Sequence, residues 1–100
     1  MIMTLTGKQK NYLRGIAHSK NPIVSIGNKG LTAAVLNEIE LALEQHELLK
    51  IKLPGASKAE KTTILENISE QSNSQIVQLI GNVGVVYRIS DETKITLPTI

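Results

Sequence analysis

A short loop with a glycine at each end carries the most distinctive chemistry in the sequence, and that chemistry is anion binding. The loop is Gly27-Asn28-Lys29-Gly30. Glycine permits backbone conformations that other residues avoid, and it lets a ligand approach the main-chain N–H groups without side chains in the way. Lys29 adds a full positive charge at the same place. A loop of this composition suits a phosphate, and it suits a row of phosphates better.

The segments on either side of the loop must position it. Ile23–Ile26 is a short run rich in β-branched residues, which predicts a strand. Thr32 is suited to cap a helix that extends to His46. The positive end of that helix dipole would point back at the loop, where it favours a bound anion.

A stripe of basic side chains precedes the loop. Residues 6–18 have apolar side chains at helical spacing, and Lys10, Arg14 and His18 recur every fourth residue beside that apolar face. Many such stripes are simply solvated helix surface. Here no acidic residue is interleaved to neutralise the charge, so we expect phosphate contacts along the stripe.

Charge is segregated along the chain. The net charge is only +2, but residues 1–37 contain five lysines and arginines and no acid. Glu38, Glu40, Glu44 and Glu47 then follow without a lysine or arginine among them. Because the charge is segregated, we expect the electrostatic field around the protein to be directional. We expect two further lysines of the basic segment to contact phosphates: Lys8 and Lys20.

Catalytic and metal-binding chemistry finds little support in the sequence. Neither His18 nor His46 has a cysteine or carboxylate at ligand spacing. The loop lacks the longer GxxxxGK[ST] run of nucleotide-binding loops. Glu40 and Glu44 are one turn apart on a polar helix face, where we expect solvated surface. We therefore expect no enzyme, no metal, no cofactor and no small-molecule substrate.

Composition limits the class of protein further. One hundred residues predict a single domain, with about residues 91–100 as a loosely held tail. The chain has no cysteine, no stretch of membrane-spanning length and no signal-peptide pattern, so we expect a cytoplasmic protein. Tyr12 and Tyr87 are the only aromatic residues, which argues against ring-based stacking platforms for bases.

The second half of the chain predicts the rest of the fold. Leu48–Leu53 alternates like a strand, and its Lys50 and Lys52 either extend the basic surface or guard a sheet edge. A capping-box pattern at Ser57–Glu60 starts a third helix that ends near Gln71. The final predicted elements are two strands joined by a Gly-Asn turn, at residues 75–80 and 83–89. The order α-β-α-β-α-β-β predicts an α/β domain with a four-stranded mixed sheet and helices packed on it.

Several motifs together resemble the CRM domain (chloroplast RNA splicing and ribosome maturation) in its free-standing bacterial form, the YhbY family. The segments that carry the resemblance are Leu5–Lys10, Leu13-Arg14, Ala17-His18, Pro22–Val24, Ile26–Thr32, His46–Lys52 and Val85–Arg88. The resemblance implies a fold similar to the C-terminal domain of translation initiation factor 3. It also implies binding to structured RNA and a part in assembly of the large ribosomal subunit.

We therefore expect a monomer that grips the phosphate backbone of structured RNA, with ribosomal RNA as its partner and no membrane contact. The expected RNA-binding residues are Gly27, Asn28, Lys29, Gly30, Lys8, Lys10, Arg14, His18, Lys20, Lys50 and Lys52. One alternative is a protein-interaction module that docks on an acidic protein partner of the ribosome without touching RNA. A GxxG loop of the KH type is less suitable, because that loop joins two helices and this one follows a predicted strand.

Overall fold

The computed structural model describes residues 5–98, which form three helices and one four-stranded sheet. The elements are α1 (Gly7–His18), β1 (Val24–Ser25), α2 (Ala33–His46), β2 (Leu48–Lys52), α3 (Lys58–Ser72), β3 (Gln75–Ile80) and β4 (Val83–Tyr87). The predicted order is confirmed. The last strand ends at Tyr87 rather than Ile89, because its partner strand begins at Leu48, directly opposite Tyr87.

The sheet is mixed, as expected, and its strand order is β1-β2-β4-β3. β1 runs parallel to β2, whereas β4 is antiparallel to both of its neighbours. β2 is therefore an interior strand. None of the helices within residues 5–98 combines the length and apolar character needed to cross a membrane.

Side-chain caps fix where α1 and α3 begin. The Thr6 hydroxyl accepts from the Gln9 N–H at 3.1 Å, and the Gln9 side chain accepts from the Thr6 N–H at 3.0 Å. At α3, Ser57 Oγ accepts from the Glu60 N–H at 3.2 Å. The Glu60 carboxylate accepts from the Ser57 hydroxyl instead of its N–H, so the predicted capping box forms only in part. The complete capping box is at α1, where Thr6 and Gln9 have the required spacing that the sequence analysis overlooked.

Two hydrophobic clusters pack on opposite faces of the sheet. α2 and α3 cover one face, with a core of Val24, Ile26, Ile39, Ala42, Leu43, Leu49, Ile51, Leu53, Leu65, Ile68 and Val86. α1 covers the other face, with a core of Leu5, Leu13, Ala17, Leu48, Val77, Val85 and Tyr87. The apolar face of α1 packs against the sheet, except for Tyr12, which is 45% exposed. The result is one helix on one side of the sheet and two on the other.

A bulge at Val77 changes which side chains of β3 face α1. Ile76 lies opposite Val86 and Gln78 opposite Val85, so Val77 is an extra residue in the strand. Val77 packs in the α1-side core, and Gln78 faces the same side next to α1. A bulge commonly redirects a side chain in this way.

A buried glutamate holds the segment that follows β4. Glu47 is fully buried and ends α2 with φ at +64°. Its carboxylate accepts from the Ser90 N–H at 2.7 Å, the Ser90 hydroxyl at 3.0 Å, and the Lys94 and Ile95 N–H groups at 2.8 Å each. Burial alone raises the pKa of Glu47, but these four hydrogen bonds together outweigh it and lower the pKa below 4.5.

The C-terminal segment is therefore not the loose tail that we expected, as far as residue 98. Ile95 and Leu97 pack against the α1-side core. The Gln9 side chain donates to the Pro98 carbonyl at 3.2 Å. Local sequence could not reveal this, because the acceptor carboxylate lies more than forty residues away in the chain. Residues 99–100 lie outside the described residues.

Candidate nucleic-acid interface

The glycine loop is a closed turn. The Gly30 N–H donates to the Gly27 carbonyl at 3.0 Å, and the exposed Asn28 and Lys29 occupy the two corners between them. Gly30 has φ at +72°, a conformation that favours glycine, whereas Gly27 does not adopt a positive φ. The expectation of special backbone geometry is therefore right for Gly30 alone. The Gly30 N–H is used within the turn, so it is not free for a ligand.

The start of α2 supplies free N–H groups beside this turn. Thr32 caps the helix as predicted, with its hydroxyl 3.2 Å from the Val35 nitrogen. The N–H groups of Ala33 and Ala34 have no acceptor in the part of the chain that the structure describes. The first turn of α2 contains no acidic residue. An anion near Lys29 would meet these N–H groups and the positive end of the helix dipole.

The basic stripe of α1 lies along the β3 side of the sheet. Lys10 lines a shallow pocket with Gln75 and Ile76 of β3. Arg14 and His18 are exposed and line a groove of about 570 Å³ between α1 and the sheet. The structure therefore brings the stripe residues to one flank of α1, as their spacing predicted.

The two lysines of β2 have different environments. The Lys50 ammonium donates to the carbonyls of Ala17 at 3.1 Å and Lys20 at 3.0 Å, and so caps the C-terminal end of α1. Lys52 is exposed. Their proposed role as guards of a sheet edge is wrong, because β1 covers this side of β2: the N–H groups of Ile23 and Ile26 donate to the carbonyls of Lys50 and Lys52.

One row of the sheet connects the glycine loop to the groove. Ser25, Lys52, Val83 and Ile80 are successive partners across the four strands. The loop follows β1 at one edge, whereas Ile80 lines the groove at the other. Three strand spacings separate these edges by about 14 Å. A single phosphate cannot reach both, but a nucleic-acid strand crossing Lys52 can.

The remaining predicted lysines lie at the periphery. Lys8 is in the first turn of α1, ten residues before His18, and is therefore about 15 Å from it along the helix axis. Lys20 follows α1 and lines a small pocket with His46 and Lys50. The structure thus brings Arg14, His18, Lys50 and Lys20 to one end of α1 and leaves Lys8 at the other.

The cations of this surface have no carboxylate partners. In residues 5–98 the one ion pair joins Arg88 to Glu40, at 2.6 Å. Arg88 also donates to the Ser72 carbonyl at 2.8 Å, so this pair ties α2 to α3. The expectation of a fully solvated Glu40 is therefore wrong. α1 has no acidic residue, whereas α2 and α3, on the other face, contain three glutamates each.

Aromatic rings contribute little to the surface. Tyr87 is 2% exposed, and its hydroxyl is the one buried side-chain polar atom without a partner in the described residues. Burial, and to a smaller extent the charge of Glu47, raises the pKa of Tyr87. Tyr12 has an exposed ring but does not line the groove. Residues 5–98 also contain no cluster of three His, Cys, Asp or Glu side chains able to hold a metal ion.

Sequence reasoning missed the apolar floor of the groove. Ile80 and Val83 flank the hairpin turn and line the groove with Gln78 and Val85. Ile80 is 61% exposed. Their pairing across the turn was predictable, but the bulge that directs Gln78 and Ile80 toward α1 leaves no signal in the local pattern.

Comparison with known proteins identifies the family. The family model for the CRS1 / YhbY (CRM) domain matches residues 5–88. A Haemophilus influenzae protein named "RNA-binding protein" is 48% identical over 95 residues, which cover 95% of this chain and 96% of that protein. "Probable RNA-binding protein YqeI" of Bacillus subtilis is 41% identical over 95 residues, which cover 94% of this chain and 99% of that protein.

A solved structure has the same fold. The solution structure of the hypothetical protein SAV1595 from Staphylococcus aureus superimposes with a TM-score of 0.85 at 42% sequence identity. The match covers 95% of this chain and 100% of that one. The structural match and the sequence matches each cover most of this chain. The chain belongs to the CRS1/YhbY (CRM) domain family.

Proposed function

We propose that this protein binds structured RNA by its phosphate backbone, in the cytoplasm, and that its partner is ribosomal RNA of the large-subunit precursor. The observation that carries the proposal is the charge distribution. Cations without carboxylate partners lie along α1, on β2 and at the glycine loop, and the acidic helices α2 and α3 cover the opposite face of the sheet. A polyanion is the ligand that matches such a surface.

The geometry favours a strand of phosphates over an isolated anion. Lys29 and the start of α2 form one contact point beyond the β1 edge of the sheet. Arg14 and His18 form another at the groove, which extends to Ile80 at the β3 edge, about 14 Å from β1, and Lys52 lies in the row between these edges. Phosphate contacts position a nucleic acid without reading its sequence, so we expect recognition by RNA shape. The proposal assigns no chemical step to the chain.

The relatives support RNA as the ligand. Proteins that align with nearly this whole chain are named as RNA-binding proteins. The resemblance to the CRM domain family supports ribosomal RNA as the partner. Sucrose-gradient profiling of a lysate tests this assignment. Sedimentation with free large-subunit precursors, lost after RNase treatment, supports it. Sedimentation that survives RNase supports docking on an acidic ribosomal protein instead.

A salt titration tests direct RNA binding. Fluorescence anisotropy with a structured RNA should show an affinity that falls with salt at a log–log slope of roughly −3 to −4, if about four phosphates are neutralised. Absence of binding, or binding that does not respond to salt, would refute the proposal.

A further inference from the structure

The groove between α1 and the sheet combines two kinds of surface. Its floor is aliphatic, formed by Ile80, Val83 and Val85. Arg14 and His18 lie along its α1 wall. The Lys50 ammonium reaches from β2 to the same end of α1, where it donates to the Ala17 carbonyl. The phosphate contacts proposed above would involve only the rim of the groove and would leave its floor without a partner.

The shape of the sheet contributes directly to this groove. The bulge at Val77 places both Val77 and Gln78 on the α1 side and keeps Leu79 in the opposite core. Without the extra residue, the alternation of β3 would turn Gln78 and Ile80 toward α2 and α3. The bulge therefore places the side-chain amide of Gln78 beside the aliphatic floor. This amide offers two N–H donors and one carbonyl oxygen as an acceptor.

α1 leaves this space unfilled. Gly15 lines the groove in the middle of the helix, where glycine costs on the order of 1 kcal/mol relative to alanine. A Cβ at Gly15 would meet no atom within 4 Å, so close packing does not explain the glycine. Ile80 remains 61% exposed although it belongs to a paired strand.

We propose that this groove takes an unpaired nucleotide of the bound RNA, with the base on the Ile80–Val83 floor and the phosphate at Arg14 and His18. The inference rests on the proposed RNA-binding function. A nucleotide matches both surfaces, because it joins a planar, weakly polar base to an anionic phosphate. A continuous duplex turns its bases inward and presents only phosphates, which would leave the aliphatic floor uncovered. The preferred RNA is therefore structured RNA with a bulge or an unpaired end.

Two RNAs that differ by one nucleotide test this inference. One is a short blunt-ended duplex, and the other is the same duplex with a single bulged 4-thiouridine. We expect the bulged RNA to bind more tightly, and its photochemical crosslink to fall within residues 78–85. The Ile80→Ser variant should lose roughly fivefold in affinity for the bulged RNA, because one aliphatic contact is removed without a change of charge. Its affinity for the plain duplex should remain within about twofold of the parent.

Leu41→Ser is the matched control. Leu41 is an aliphatic residue of similar exposure, at 65%, but it lies on α2. It should leave binding of both RNAs unchanged. Equal affinity of the parent for the two RNAs, equal losses for both RNAs in Ile80→Ser, or an equal effect of Leu41→Ser would overturn the inference. Salt-dependent binding in those cases would leave the proposed function standing, whereas failure of the parent to bind either RNA would refute both.

Discussion

The carboxylate of Glu47 accepts two hydrogen bonds from Ser90, one from its N–H at 2.7 Å and one from its hydroxyl at 3.0 Å. Glu47 ends α2 and Ser90 follows β4, so the contact closes the chain on itself across forty-three residues. The same carboxylate accepts from the N–H groups of Lys94 and Ile95. One buried side chain thus organises the C-terminal segment, on which Ile95 and Leu97 complete the core beneath α1.

Replacing Glu47 should destabilise the fold without acting on the RNA surface. Glu47→Gln removes the charge and substitutes an NH₂ donor for one acceptor oxygen, so N–H groups in the C-terminal segment lose their partner. We expect the free energy of unfolding to fall by about 2 kcal/mol, measured by urea denaturation. Glu44→Gln, at an exposed position on the same helix, should have little effect. An equal loss in both variants would contradict the account of Glu47.

Stability should depend on pH through the same carboxylate. Burial raises the pKa of Glu47, but the hydrogen bonds from Ser90, Lys94 and Ile95 together outweigh it, so the pKa in the folded protein is below its usual value of 4.5. Its contribution to stability is therefore fully present above pH 4.5 and is lost as pH falls through the folded-state pKa. Urea unfolding from about pH 6 to pH 3 should show a steeper loss in the parent than in Glu47→Gln. Parallel curves would show that Glu47 does not contribute.

The two loop glycines should respond differently to substitution. Gly30→Ala should lower the free energy of unfolding by about 1 kcal/mol, because Gly30 has φ at +72°. Gly27→Leu should leave stability nearly unchanged, since Gly27 has no positive φ and a Cβ there meets no atom within 4 Å. It should nevertheless weaken RNA binding, if RNA must approach the backbone of the glycine loop at Gly27. Thermal unfolding and anisotropy measure the two effects, and an RNA affinity equal to that of the parent in Gly27→Leu would argue against this approach.

Lys50 and Lys52 should also separate into two roles. Lys50→Met removes the ammonium that donates to the Ala17 and Lys20 carbonyls, so stability should fall by about 1 kcal/mol and RNA affinity should fall with it. Lys52→Met changes an exposed side chain. It should lower the RNA affinity and reduce the log–log salt slope by about one. The unfolding midpoint should remain unchanged. An unchanged RNA affinity in Lys52→Met would show that Lys52 does not contribute to RNA binding.

Local patterns predicted most of the fold, because each element has its own periodicity and boundary residues. Thr32 begins α2 as its N-cap, and the alternation in Leu48–Leu53 correctly divides that segment between the two faces of the sheet. Features that depend on distant partners were not predictable. No local signal indicates that Glu47 is buried against residues 90–95, or that Lys50 caps α1.

The candidate site was likewise predictable only where it depends on local sequence. The stripe of Lys10, Arg14 and His18 was predictable, because helical spacing alone aligns these side chains. The distance between the stripe and the glycine loop was not, because it depends on the strand order β1-β2-β4-β3. The groove depends on a bulge, which shifts the register of β3 by one residue without any mark in the sequence.

The RNA affinity of the Arg14→Ala/Lys29→Ala double variant tests the central claim most directly. Arg14 lies beside the groove and Lys29 lies in the glycine loop, at the two ends of the proposed RNA-binding surface. Both side chains are exposed, so we expect circular dichroism to show that the fold persists. Lys58→Ala, on α3, is the control for loss of one positive charge outside this surface. We predict that the double variant binds structured RNA at least about tenfold more weakly than the parent, with the salt slope reduced by about two. A double variant that binds RNA as tightly as the parent would contradict the claim that this surface grips the phosphate backbone.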